Sequence, residues 1–112
     1  MKKIEAVIRH FKLEAVQHAL VERGIHALTV TEVRGSGNER PRTETYRGID
    51  LDPGFLPRLK IEVVVEDELV EAAVDAVLLG AHTGHAGDGK IFISQVEIML
   101  RIRTGEELAC AV

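Results

Sequence analysis

Cysteine is almost absent from this chain, and its scarcity excludes two kinds of small-protein architecture. Cys110 is the only cysteine among the 112 residues. A single thiol can form neither an internal disulfide nor a cysteine-based zinc cluster, so a compact hydrophobic core is expected instead. We interpret Cys110 as incidental, the alternative being a redox-sensing or intersubunit thiol.

The chain also has few prolines and no long hydrophobic run. Three prolines and 46% hydrophobic residues are typical of an ordered globular protein, and the length predicts a single domain spanning residues 1–112. The first apolar stretch is interrupted by Glu5 and Arg9. Neither a signal peptide nor a membrane span is therefore expected, and the expected location is the cytoplasm.

Positive charge is in deficit as well. The formal net charge is −4 with histidines neutral. Proteins that bind DNA or RNA neutralise many phosphates with lysine and arginine, so direct nucleic-acid binding is not expected.

Hydrophobic periodicity predicts five strands and two helices. Alternating apolar and polar residues indicate strands, whereas apolar residues at i, i+3 and i+7 indicate helices. Gly24 is predicted to end the first helix, and the second helix is predicted to end before Gly80. The predicted strands are residues 2–9, 25–33, 60–65, 90–96 and a short one at 98–103. The first predicted helix contains Leu13, Val16 and Leu20, and the second follows the acidic residues 66–68.

This order, βαββαβ with an extension, predicts an α+β fold of the ferredoxin-like type. Two helices would cover one face of a four-stranded antiparallel sheet. The other face is mixed, since it carries Thr29, Thr31, Lys60 and Glu62. Such a face is either solvated or an interface between copies of the chain, and the fold alone does not identify a function.

A long connection follows the second strand. It runs between Val33 and Arg58, is rich in glycine and proline, and carries clusters of charge. A loop of this length, with its exposed part at about residues 37–55, is usually functional or disordered. We interpret it as an arm that contacts a partner or a ligand, the alternative being an insertion without function.

A glycine-rich loop, TGHAGDGK at residues 83–90, separates the second helix from the fourth strand. Glycines let backbone N–H groups approach phosphate oxygens, and the terminal lysine adds a positive charge. The spacing of Gly84, Gly89 and Lys90 matches a P-loop, but Ile91 stands where a P-loop needs serine or threonine. The P-loop interpretation therefore fails, which leaves another phosphate geometry or a simple glycine-rich turn.

Two arginines favour the anion site. Arg101 and Arg103 are two residues apart on a predicted strand, so both guanidinium groups would lie on one face and could bind a polyanion together. The alternative is that each pairs with a carboxylate such as Glu62 or Glu97.

Several segments of the sequence resemble the PII nitrogen-regulatory signal-transduction family over essentially the whole chain. They are MKKIEAVIR, FKLEAV, GIHALTVTEV, TETYRG, FLPRLKIEVVV, TGHAGDGKIFI and RIRTGEE. The resemblance implies a homotrimer that binds ATP or ADP between subunits and signals to a protein partner through its long loop. It also implies a regulator rather than an enzyme, with a tail at residues 104–112.

The resemblance further implies which residues form the nucleotide cleft. They are Thr29, Gly35, Gly37, Asn38, Arg58, Glu62, Val64, Thr83, Gly84, Gly87, Asp88, Gly89, Lys90, Arg101 and Arg103. Magnesium and 2-oxoglutarate would be bound with the help of Glu39, Arg58 and Gly87.

The chain departs from the family pattern in its long loop. Leu51 replaces the tyrosine that uridylylation requires, so that modification is not expected. Glu39 replaces a glutamine, and its added charge should weaken a complex with a triphosphate and a dianionic keto acid. Asn38 replaces an arginine that reaches the phosphates in the family. We therefore expect nucleotide binding to be less affected than 2-oxoglutarate sensing.

Two other functions are compatible with the sequence. His82 and His85 could respond to a metal, although a third ligand is not near in sequence, so no metal site is predicted. A small nucleotidase would need a base, for which Asp88 and Glu62 are the candidates near the loop.

Overall fold

In the computed structural model, four antiparallel strands form one sheet against which two helices lie. The structure describes residues 1–36, 45–46, 49–50 and 55–108. The strands are β1 (Lys2–Arg9), β2 (Thr29–Gly35), β3 (Thr45–Tyr46), β4 (Ile49–Asp50), β5 (Leu56–Val65) and β6 (Lys90–Gln95), and the helices are α1 (Leu13–Glu22) and α2 (Val70–Ala81). The sheet has the order β2-β5-β1-β6, while β3 and β4 pair separately. The predicted α+β, ferredoxin-like arrangement is confirmed.

The core lies between the helices and one face of the sheet. Alternate residues of β1 and β5 point into it, because side chains on a strand alternate between its two faces. The helices contribute small and branched side chains that fit closely against these strands. The buried residues include Ile4, Ala6, Ile8, Ile61, Val63 and Val65 from the sheet and Val16, Ala19, Leu20, Ala73, Ala76 and Val77 from the helices. Within the described part of the chain, neither helix combines the length and hydrophobicity needed to cross a bilayer.

The opposite face of the sheet, which we call the open face, is not covered by either helix. Strand register fixes the order of its residues. Arg9 of β1 lies opposite Arg58 of β5, and Val7 lies opposite Lys90 of β6. Further along, Glu62 lies opposite both Glu5 and Thr29. The open face therefore has one end rich in cations and a central region where acidic groups meet.

Gly80 does not end the second helix, contrary to the sequence prediction. It lies inside α2, whose last residue is Ala81, and it is buried. A Cβ atom at this position would be 2.6 Å from Val16 Cα of the other helix. Glycine is therefore required for the close approach of two helices rather than for a turn. Gly24 does end α1, as predicted, with φ of +79°.

The predicted bounds of β2 and β5, and the content of the connection between them, differ from the structure. β2 begins at Thr29 rather than at residue 25, because the N–H of Ile25 donates to Leu20 O and closes the end of α1. β5 begins at Leu56, since proline is tolerated at the start of a strand and Pro57 does not interrupt it. The connection between them is not wholly without strands, because β3 and β4 form a short ladder.

The predicted short strand at residues 98–103 is wrong. The chain instead turns back on itself, with Gly105 N donating to Arg101 O at 2.7 Å and Arg101 N donating to Glu106 O at 2.9 Å. Gly105 has φ of +72°, which permits this reversal. Local hydrogen bonds thus replace the predicted strand pairing.

Candidate functional site

The glycine-rich loop joins α2 to β6 at the cationic end of the open face. Gly84, Gly87 and Gly89 have φ angles of +87°, +95° and +109°, which side-chain-bearing residues rarely adopt. At Gly89 a Cβ atom would be 1.8 Å from Val7 O of β1. No other residue fits there, so the end of the loop lies directly against the backbone of β1.

Asp88 organises the interior of the loop. Its carboxylate accepts hydrogen bonds from Thr83 N at 2.8 Å, from Gly84 N at 2.9 Å and from the Thr83 hydroxyl. The Thr83 hydroxyl in turn accepts a hydrogen bond from His85 N at 3.2 Å. These contacts, led by those from Thr83, hold the pKa of the Asp88 carboxyl well below its ordinary value. Asp88 is therefore a weak proton acceptor, unsuited to the role of a general base.

Arg9 connects the loop to the end of β1. Its Nε donates to Asp88 Oδ1 at 3.2 Å, and its Nη2 donates to Ala86 O at 2.6 Å. One guanidinium group therefore contacts two points of the loop, one charged and one on the main chain. Both contacts depend on β1 ending where the loop passes.

A cleft of about 640 Å³ opens between the loop and the open face. Arg58 and Lys90 supply positive charge, and half-exposed Phe92 supplies an aromatic surface. The cleft brings together six of the predicted site residues. Its lining consists of Gly35, Arg58, Gly87, Asp88, Gly89 and Lys90 from the prediction, together with Val7, Ser36, His85, Ala86 and Phe92. Such a lining suits an anionic ligand with a planar or apolar part.

Three predicted residues lie elsewhere on the open face. Thr29, Glu62 and Val64 are on β2 and β5, beyond the cleft. Glu62 forms an ion pair with Lys3 Nζ at 2.7 Å. The hydrogen bond from Lys3 lowers the pKa of the Glu62 carboxyl, and the same bond raises the pKa of Lys3. The lowered pKa makes the Glu62 carboxylate a weak proton acceptor, which does not favour a role as a general base.

The two C-terminal arginines are not arranged as predicted. Arg101 and Arg103 lie at the chain reversal near Gly105 and not on a strand, so their spacing does not place them on one strand face. Neither lines the cleft formed by the described residues. Five further residues singled out in the sequence lie outside the described residues: Gly37, Asn38, Glu39, Leu51 and Cys110.

The two loop histidines flank Thr83. His82 Nδ1 lies 3.7 Å from Asp88 Oδ2, while His85 lines the cleft. Residues 1–36 and 55–108 contain no group of three histidine, cysteine or acidic side chains placed to hold a metal ion. Asp88 is already engaged by donors from the loop.

Sequence reasoning did not include Arg9, Val7 or Phe92 in the site. The sequence signal that could have found them is the alternation along β1 and β6, which places these side chains on the open face together with Lys90. Only the register of β1 against β5, however, brings Arg9 opposite Arg58.

Comparison with known proteins gives a consistent result. The family model described as "Nitrogen regulatory protein P-II" matches residues 1–106. The chain is 56% identical over 107 residues to a nitrogen regulatory protein P-II of Azospirillum brasilense, and 52% identical to nitrogen regulatory protein P-II 1 of Escherichia coli, with 96% of each chain covered. The crystal structure of Arabidopsis thaliana PII bound to citrate superposes with a TM-score of 0.78 at 34% identity, covering 96% of this chain and 85% of that one.

Proposed function

This chain belongs to the nitrogen regulatory protein P-II family, and we propose that it is a nitrogen-signalling protein that binds ATP or ADP in the cleft beside the glycine-rich loop. Members of this family act as signalling regulators. In our proposal the bound nucleotide changes how the long connection at residues 37–55 contacts a regulated partner, such as a transporter, a metabolic enzyme or a transcription regulator. The protein has no catalytic role in this scheme.

The single observation that carries the proposal is the close contact of Gly89 with β1. Here a loop with three left-handed glycines packs directly against the backbone of β1, with no room for a side chain at Gly89. Backbone N–H groups in such a loop can approach an anion closely. Lys90 and Arg58 line the same cleft and supply the charge that phosphate requires. The residues present therefore fit a nucleotide phosphate chain.

We further propose that the complete nucleotide site forms between subunits of a homotrimer. Thr29, Glu62 and Val64 lie apart from the cleft on the same chain, and so do the two C-terminal arginines. A neighbouring copy that presents these residues to the cleft would complete the site implied by the family. The open face, with its paired charges and apolar Val7, provides a surface for such contact.

Magnesium and 2-oxoglutarate are included in the proposal as secondary ligands. Arg58 lines the cleft and offers a guanidinium group that can bind a carboxylate. The Arabidopsis relative binds citrate, which is a polycarboxylate, and this supports a carboxylate ligand here. The carboxylate of Glu39 should weaken this part of the function through its added negative charge.

Isothermal titration of the protein with ATP and with ADP tests the proposal. We expect binding at tens of micromolar protein or below, and a loss of about tenfold or more in Lys90→Met, since a charge-assisted phosphate contact is removed. Lys2→Met is the matched control, because Lys2 lies at the other end of β1 from the cleft. Absence of heat with either nucleotide would refute the function, and titration of 2-oxoglutarate with and without Mg-ATP would test the secondary ligand.

A further inference from the structure

We propose that Arg9 is a positioning residue for the glycine-rich loop, where it neutralises Asp88 and fixes the turn at residues 86–88 for an incoming phosphate. This inference rests on the nucleotide function proposed for the cleft. It assigns to β1 a role that neither the glycine motif nor the cationic residues of the cleft supply.

Arg9 acts in the first place through its charge. Asp88 lines the cleft, and its side chain is 25% exposed. A carboxylate at that place repels a polyanion unless its charge is compensated. Among the described residues, Arg9 is the only arginine or lysine that forms an ion pair with Asp88. Its own side chain is only 17% exposed, so the pair is partly shielded from solvent.

Protonation cannot remove the charge of Asp88 instead. The donors from Thr83 and Gly84 keep the carboxyl ionised at neutral pH. Without Arg9 the loop would therefore carry a permanent negative charge beside the proposed phosphate position.

Arg9 acts in the second place through its hydrogen bond to the main chain. Its Nη2 holds the carbonyl of Ala86 at 2.6 Å. Because the peptide unit is planar and trans, the N–H of Gly87 points in the direction opposite to that carbonyl. The contact thus turns the Gly87 N–H away from Arg9 while Gly87 lines the cleft. Arg9 sets the direction of a main-chain donor without touching the ligand itself.

Arg9→Met removes the charge and both contacts while keeping most of the side-chain volume. Arg23→Met is the matched control, since Arg23 caps the end of α1 by donating to Ala19 O at 2.8 Å. We expect Arg9→Met to bind ATP about tenfold more weakly than the control, because a hydrogen-bonded charge pair is lost. The loss should decrease from ATP to ADP to AMP, as the ligand charge that meets Asp88 decreases.

Asp88→Asn in the Arg9→Met background separates charge from architecture. Removing the uncompensated carboxylate should restore most of the lost ATP affinity, and the recovery should be larger for ATP than for ADP or AMP. A general collapse of the loop would lower all three affinities alike and would not be rescued. Equal losses without rescue, or ATP binding of Arg9→Met within about twofold of Arg23→Met, would overturn the proposal.

Arg9→Lys keeps the test decisive if Arg9→Met does not fold. Lysine keeps the charge but lacks the fork that contacts Asp88 and Ala86 together, so we expect a loss of about threefold with less change in the ATP-to-AMP ratio. Unchanged affinity for all three nucleotides would count against the geometric role. If the unmodified protein binds no nucleotide, the proposed function fails first, and this inference falls with it.

Discussion

Gly89→Ala probes the contact on which the proposed site depends. The added Cβ would be placed 1.8 Å from Val7 O. That oxygen belongs to a residue paired on both sides, with Lys60 of β5 and with Lys90 of β6. It cannot retreat without disturbing the middle of the sheet. The loop must therefore move away from β1.

The expected cost has two parts. A residue with a side chain at φ of +109° is strained, which costs roughly 1–2 kcal/mol. Forcing one extra carbon against packed backbone typically adds about 1–3 kcal/mol. We expect the free energy of unfolding to fall by ~3 kcal/mol, and ATP affinity to fall by about tenfold or more because the loop no longer lies at the cleft.

Gly24→Ala separates these two parts. Gly24 also has a left-handed φ, +79°, but nothing lies within 4 Å of the position that an added methyl group would occupy. It should lose only ~1 kcal/mol, from backbone strain alone, and should bind ATP normally. Urea denaturation at fixed protein concentration, with calorimetric titration of ATP, measures both quantities. If the two variants lose equal stability, or Gly89→Ala binds ATP like Gly24→Ala, our reasoning about the loop is wrong.

Three further results are expected. Gly80→Ala should destabilise the protein by about 1–3 kcal/mol in urea denaturation, because its Cβ would meet the Val16 backbone. Helix propensity alone would instead stabilise the protein by about 1 kcal/mol, so the sign of the measured change shows which effect dominates. The contacts to Asp88 lower its folded-state pKa, so their stabilisation is complete above the ordinary carboxyl range, about pH 4, and is lost as the pH falls further. Melting temperatures should therefore fall more steeply in acid for the unmodified protein than for Asp88→Asn. Parallel curves of melting temperature against pH would contradict this. Lys3→Met should raise the pKa of the Glu62 carboxyl towards its ordinary value, because the hydrogen bond that lowers it is lost; carbon-detected NMR titration would show the change, and an unmoved pKa would exclude Lys3 as its cause.

The strands and helices could be predicted where a local pattern matched a local cause. β1 was predicted with its observed bounds because every second residue from Ile4 to Ile8 is apolar and is buried against the helices. The end of α1 at Gly24 has an equally local cause, a left-handed residue after the helix. These elements follow from nearest neighbours along the chain.

The errors arose where a distant part of the chain decides the outcome. Gly80 looks like a helix end in sequence, but it is retained inside α2 because α1 passes too close for a methyl group. The segment containing Arg101 alternates like a strand, yet its backbone groups bond to Gly105 and Glu106. Neither the helix contact nor the choice between sheet pairing and local reversal is encoded in a short window.

The candidate site was predicted only in part for the same reason. The loop itself is a contiguous motif, so Gly87, Asp88, Gly89 and Lys90 were found. Arg9 was missed because it joins the loop only through the pairing of β1 with β6 and the end of α2, which lie far apart in sequence.

Asp88 explains how this loop differs from a P-loop despite similar spacing of Gly84, Gly89 and Lys90. A P-loop directs its N–H groups at the ligand, whereas here the N–H groups of Thr83 and Gly84 already bind a carboxylate of the same loop. The first half of the motif is thus occupied by its own internal anion, which gives the loop its shape. In the proposed nucleotide site, recognition of an external phosphate would therefore depend on the second half, from Gly87 to Lys90, together with Arg58. The internal anion in turn requires a cation, and the end of β1 supplies it in Arg9.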